Sequence, residues 1–188
     1  ADSVRLLVRE GPQLVESFLA GKVGVPFTKD ESGEPALTKE AAHSVRRIFY
    51  AQDQTGAAIE DSLMAYAKNT KGVTIYSGHT AIDFITSTHN STDPAQKFRP
   101  TRVFGAYAYS EEKKAVTAFF APSVILASGG VGNLFLHTSN PIGATGDGVA
   151  MAYRIGTEIL NAEYVQFHPT VLFHRDVKRF LISEALRG

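Results

Sequence analysis

The stretch from Val124 to Asp147 constrains this chain most. Val124-Ile125-Leu126-Ala127 is a short apolar run of strand character, and it passes directly into Ser128-Gly129-Gly130. Further on, Gly146-Asp147-Gly148 opens the helix-forming run Val149-Ala150-Met151-Ala152. The pattern predicts a strand, a tight turn and a helix N-terminus. Small residues at Ala127, Ser128, Gly129 and Gly130 let backbone approach a ligand closely, and glycine tolerates positive φ. Backbone N–H groups in such a turn can face phosphate or sugar oxygens. The same residues also suit a tight strand–loop turn with no ligand. Asp147 carries two readings as well. It is an ordinary N-cap or first-turn residue, or its carboxylate accepts from a cofactor sugar hydroxyl while Gly146 and the helix N-terminus face polar cofactor atoms. The spaced three-glycine dinucleotide fingerprint is absent, so in a dinucleotide fold it would lie outside this chain.

Gln166-Phe167-His168-Pro169-Thr170 closes a strand candidate. Pro169 ends the ladder and holds His168 extended. A histidine there can bind a carboxylate or exchange protons near neutral pH, or serve as a hydrogen-bonded structural imidazole. Zinc is disfavoured, because His168 and His174 lack a closely spaced acidic partner. In Ser183-Glu184-Ala185-Leu186-Arg187, Glu184 and Arg187 share one helical face. They form either a surface ion pair or a buried pair that relays a proton, which requires burial and neighbouring charge. His43-Ser44-Val45-Arg46-Arg47 suits an anionic group or a solvated surface.

At 188 residues the chain can bury a real core. Hydrophobic content is 44% and formal net charge is +0, which disfavours disorder and a polyanion partner. Without basic runs, nucleic acid is not an expected ligand. Absence of cysteine excludes disulfides and thiolate metal sites. No apolar run approaches the roughly 20 residues of a membrane span. The start shows no signal-peptide pattern. It has no initiator Met and begins a helix at once, and the far end stops directly after a helix-like run. The expectation is a piece of a larger protein.

Apolar spacing predicts a helix over 3–20, kinked or split at Gly11-Pro12 and capped by Gly21. Residues 22–42 read as loop, with a hairpin tip at 28–34. A helix is expected over 56–71, ended by Gly72. Strands are expected at 73–77, 81–88, 103–109, 115–120 and 123–127, then at 159–160 and 164–167. Residues 90–99 read as a polar connector, 111–114 as a turn, 146–154 as a helix capped by Gly156, and 180–186 as the start of another helix. The fold class is α/β or α+β, with a β-rich insert between helix 56–71 and strand 123–127.

Taken in order, these motifs resemble the flavoprotein family of L-aspartate oxidase, succinate dehydrogenase and fumarate reductase. The matching blocks are Ala42-His43-Ser44-Val45-Arg46-Arg47 with Asp53-Gln54-Thr55-Gly56, then Leu126-Ala127-Ser128-Gly129-Gly130, and Asn140-Pro141 with Thr145-Gly146-Asp147-Gly148. They continue through Glu163-Tyr164-Val165-Gln166-Phe167-His168-Pro169-Thr170 and the run from Leu181 to Gly188. The first block and the Asn-Pro to Gly-Asp-Gly spacing look most like the L-aspartate oxidases.

The resemblance implies FAD, with Asp147 as its aspartate ligand and the turn Ala127–Gly130 along the cofactor. It implies a Rossmann-like FAD-binding domain whose C-terminal part is residues 1–165, with a capping domain beginning at 166–188. Gln166 and His168 match substrate-pocket residues, His168 on a carboxylate of the dicarboxylate substrate. Ser183 stands where the family often has threonine, Glu184 matches an active-site glutamate, and Arg187 matches a relay arginine of the fumarate reductases. The implied reaction takes L-aspartate to iminoaspartate in NAD biosynthesis, with oxygen or fumarate as acceptor. It implies a cytoplasmic enzyme, no membrane or nucleic-acid partner, and quinolinate synthase as a protein partner. The principal acid/base arginine of the family lies beyond Gly188. The chain is therefore expected to be inactive without the rest of the protein. The alternatives are the flavoprotein subunit of a succinate dehydrogenase or fumarate reductase, and a non-catalytic scaffold.

Overall fold

A computed structural model describes residues 2–39, 43–89, 91–168, 170–175 and 180–182. Expectations at Ala42, Asn90, Pro169, Ser183, Glu184 and Arg187 lie outside the described residues. The described residues fall in two compact units, one up to Ile75 and one within Tyr76–Leu186.

In the first unit, α1 (Asp2–Leu14) contains Pro12 and runs directly into a π-helical stretch, Val15–Val23. The expected kink is thus a change of hydrogen-bond register. Pro12 has no N–H to give to the preceding turn, and wider turns follow it. Gly21 lies inside those turns and does not cap them. The cap is Gly24, in the left-handed region at φ 76°.

The expected hairpin tip forms around Asp30, whose Oδ1 accepts from Ser32 N–H (2.9 Å) and Glu34 N–H (3.1 Å). It precedes β1 (Leu37–Thr38), antiparallel to β2 (Ile48–Phe49). Val25, Phe27 and Ala51 are buried, and the Phe27 and Phe49 rings meet edge to face at 5.2 Å. Helix α2 (Thr55–Lys68) ends at Asn69, slightly before the expected Gly72.

In the second unit, β3 (His79–Thr86), β4 (Val103–Ser110) and β5 (Ala115–Phe120) form an antiparallel meander. This is the expected β-rich insert. Phe84, Ile85 and Ala108 are buried in the core, and because successive strand residues point to opposite faces, Phe84 and Ile85 show that this end of β3 is covered on both sides. Gly105 is required there, because a Cβ would run into the Phe119 carbonyl of β5. The register skips Ile82, which makes a bulge in β3. The connector expected over 90–99 contains a 3-10 turn, Pro94–Phe98, capped by the Asp93 side chain.

Helix α3 (Asp147–Arg154) forms as expected, and Gly156 follows it at φ 84°. Four strand expectations are corrected. Residues 73–77, 123–127, 159–160 and 164–167 are not strands. Their apolar residues have strand character, but they find no pairing strand among the described residues, and Ile125 is 91% exposed. The helix expected from 180 is also corrected. Phe180–Leu181 is a short strand, β7, antiparallel to β6 (Val171–Leu172). The described sheets are all antiparallel, which places the architecture on the α+β side of the expectation.

Candidate cofactor turn and substrate cleft

Both features of interest lie in the second unit. The turn at 127–130 is exposed and meets the start of α3. Gly146 N–H donates to Gly130 O at 3.2 Å. Gly146 is the residue before the helix, left-handed at φ 80°, and a Cβ on it would press Val131 Cγ1 at 2.9 Å. The sequence left Asp147 open as an N-cap or first-turn residue; it lies in the first turn, and only the N-cap half of that reading is corrected. Gly146 holds the cap position and no side chain caps the helix. Asp147 instead accepts from the Thr145 hydroxyl through Oδ2 at 2.5 Å and remains exposed.

The glycines separate by what requires them. Gly148 is packed tightly within the protein, so that a larger residue would make the Ser128 side chain turn away. A Cβ there would collide with Ser128 Oγ and approach Leu126 Cδ1 at 3.1 Å. Gly129 is required by its φ of 79°. Gly130 has neither constraint, and a Cβ on it would have nothing within 4 Å. Open space beside Gly129 and Gly130, the N–H groups of the first turn of α3, and an exposed carboxylate at Asp147 together fit a ligand with phosphate and sugar oxygens. Ala127, Ser128 and Gly129 also line a groove of about 390 Å³ with Val149 and Ala152 of α3.

Gly148→Ala tests this packing. Overpacking costs about 1–3 kcal/mol, against a helix-propensity gain of up to about 1 kcal/mol. The expected result in the full-length protein is a lower melting temperature and reduced flavin content. Unchanged melting and flavin content would show that the contact between the turn and α3 is dispensable.

A second cleft has a volume of about 330 Å³. Gln166 and His168 line one wall, and His137, Thr138, Ser139 and Asn140 line the other. Phe135 and Phe167 tie the walls edge to face at 5.2 Å. Thr170 N–H donates to His168 Nδ1 at 3.2 Å. A backbone N–H can only donate, so Nδ1 accepts and the neutral ring carries its proton on Nε2. His168 is thereby oriented as a donor. Asn133 joins the two features. Its side-chain nitrogen donates to Pro141 O (2.5 Å) and Ile142 O (2.7 Å), and its backbone N–H donates to Ala144 O (2.9 Å). One polar side chain thus pins the loop that carries both the Asn140 wall and the approach to Asp147.

The structure brings Gln166 and His168 into one cleft, and the 127–130 turn against the start of α3 through Gly130 with Gly146 and Ser128 with Gly148. Ser183, Glu184 and Arg187 lie outside the described residues. Sequence reasoning missed His137, Thr138 and Ser139. The available signal was a histidine among hydroxyls between two recognised motifs. In the first unit, His43 Nδ1 is buried without a hydrogen-bond partner among the described residues, while Arg46 and Arg47 are exposed. No group of three metal-ligating side chains occurs among the described residues, and no helix there is long and apolar enough to cross a membrane.

A family model described as FAD binding domain matches residues 1–188. L-aspartate oxidase of Acinetobacter baylyi is 44% identical, covering 100% of this chain and 33% of that protein. L-aspartate oxidase of Pseudomonas aeruginosa is 42% identical, covering 100% and 35%. The structure of Mycobacterium smegmatis Sdh1 in complex with UQ1 superposes with a TM-score of 0.76 at 28% identity, covering 97% of this chain and 30% of that one. The chain spans about a third of the length of the curated relatives it matches. With the family model matching along its whole length, the chain belongs to the FAD binding domain family, and its cofactor is FAD.

Proposed function

We propose that this chain supplies one wall of the FAD site and one side of the substrate pocket of a flavin-dependent L-aspartate oxidase. The observation that carries the reading is the Asn133-pinned loop, which joins a cleft holding Gln166 and His168 to the turn holding Asp147. FAD, when bound, supplies the hydride acceptor, with oxygen or fumarate as terminal oxidant. Asp147 accepts from a sugar hydroxyl of the cofactor with the carboxylate capacity that Thr145 leaves unused. His168 donates from Nε2 to a carboxylate of L-aspartate, and Gln166 adds a neutral partner on the same wall. Ser183 donates to the same carboxylate, and Glu184 and Arg187 act on the proton leaving the substrate. Residues 1–165 belong to the FAD-binding domain and 166–188 begin the capping domain. The product, iminoaspartate, is an NAD precursor, which makes quinolinate synthase the consuming partner in the cytoplasm. The relatives' printed names and the family match support this reading.

The superposition on Sdh1 favours a second reading, a succinate dehydrogenase or fumarate reductase flavoprotein subunit. Anaerobic addition of L-aspartate, and separately of succinate, to the full-length protein decides between them. Flavin absorbance is expected to bleach with L-aspartate and recover on air or fumarate. Bleaching by succinate alone would move the assignment to the second reading. A full-length protein without flavin would leave a scaffold.

A further inference from the structure

The two ends of α3 are held by different parts of the second unit. Its N-terminal end rests on the glycine turn. Its C-terminal end is tied to the insert sheet at Arg154. Arg154 Nε donates to Asp83 Oδ2 at 2.9 Å, and a terminal nitrogen of the same guanidinium donates to Ile82 O at 3.1 Å. Ile82 is the bulged residue of β3, which has no register partner on β4. The bulge therefore offers a carbonyl and an adjacent carboxylate side by side, and a guanidinium fork spans both. Asp83 is fixed in turn, because Phe84 N–H donates to its Oδ1 at 2.9 Å. One turn before Arg154, Met151 is 3% exposed, so this end of the helix is also anchored by packing.

Partial burial pushes the Asp83 carboxyl up. The hydrogen bonds from Arg154 and Phe84 N–H, with the charges of Arg154 and His89, outweigh it and hold the group below its ordinary range. Asp83 is ionised at neutral pH.

Helix α3 is two turns long, and Asp147 is at its other end. A helix that short transmits a tilt at Arg154 to Asp147 as a rigid lever about 10 Å long. We propose that Arg154 and Asp83 are positioning residues for the cofactor, through which the bulge of the insert sheet sets the pose of α3 and places the Asp147 carboxylate. The inference rests on the reading of Asp147 as a FAD ligand.

The test titrates FAD into the full-length apoprotein and records the visible circular dichroism of the bound flavin. Arg154→Gln and Asp83→Asn are each expected to weaken FAD binding about tenfold and to alter the flavin dichroism, with the double variant no worse than the worse single. Arg154→Lys, which keeps one donor, is expected between wild type and Arg154→Gln. Should Arg154→Gln not fold, the isosteric Asp83→Asn carries the test. Affinity and dichroism equal to wild type in the single variants overturn the proposal, whatever happens to the melting temperature. Asp147→Ala separates the two levels. FAD binding lost there but normal in Arg154→Gln overturns the positioning role alone. FAD binding normal in both overturns the Asp147 assignment itself.

Discussion

Asp147→Ala in the full-length protein is expected to weaken FAD binding by about 100-fold, so that the protein purifies with little flavin. A carboxylate hydrogen bond contributes about 1.5–3 kcal/mol, and every 1.4 kcal/mol is about tenfold in affinity. The geometry sharpens this. Asp147 is not the cap, since Gly146 occupies that position, and its hydrogen-bond partner among the described residues is one hydroxyl, on Thr145. The protein therefore has little structural use for this charge beyond the favourable position of an anion at a helix N-terminus, about 0.3–1 kcal/mol. Asp147→Asn keeps the shape and one acceptor but loses the charge, and is expected to fall near tenfold. Melting of the apoprotein should move little in either variant. Retained flavin with a clearly lowered apoprotein melting temperature would assign Asp147 to the fold instead of the ligand.

The contrast between Asp147 and the strands shows what was legible beforehand. Strands 81–88, 103–109 and 115–120 were read within a few residues because their alternation is local and their partners are neighbours in the chain. Ser123–Ala127 has equally strong strand character, but a strand is defined by its pairing, and pairing is not local. Pro12 announced a disturbance in the first helix without showing whether the chain would bend or widen its turns. The glycine turn and Gly146-Asp147-Gly148 were legible because few residue types tolerate those conformations and contacts. The bulge at Ile82 and the fork of Arg154 were not. Their partners are far apart in sequence, and nothing in either segment marks the other. His137, Thr138 and Ser139 were missed for a related reason. Hydroxyls in a loop look like solvent-facing residues until a second wall, here Gln166 and His168, is placed opposite them.

His168→Ala is expected to lower kcat/KM for L-aspartate by about 100-fold in the full-length protein, the loss of one charge-assisted donor, with flavin content unchanged. The hydrogen bond from Thr170 N–H to Nδ1 fixes the direction of the effect, because it leaves Nε2 as the ring's donor, the role that the proposed carboxylate contact requires. A donor lost from the ground state and the transition state alike raises KM, whereas one used only in the transition state lowers kcat. A carboxylate anchor is bound throughout the reaction, so most of the loss should appear in KM. Thr170→Val is the control. It removes the hydroxyl 3.2 Å from Nδ1 but keeps the backbone donor, so the ring keeps its tautomer and kcat/KM should stay within about threefold of wild type. A structural imidazole would behave differently. His168→Ala would then lower melting temperature and flavin content together, and turnover per bound flavin would be preserved.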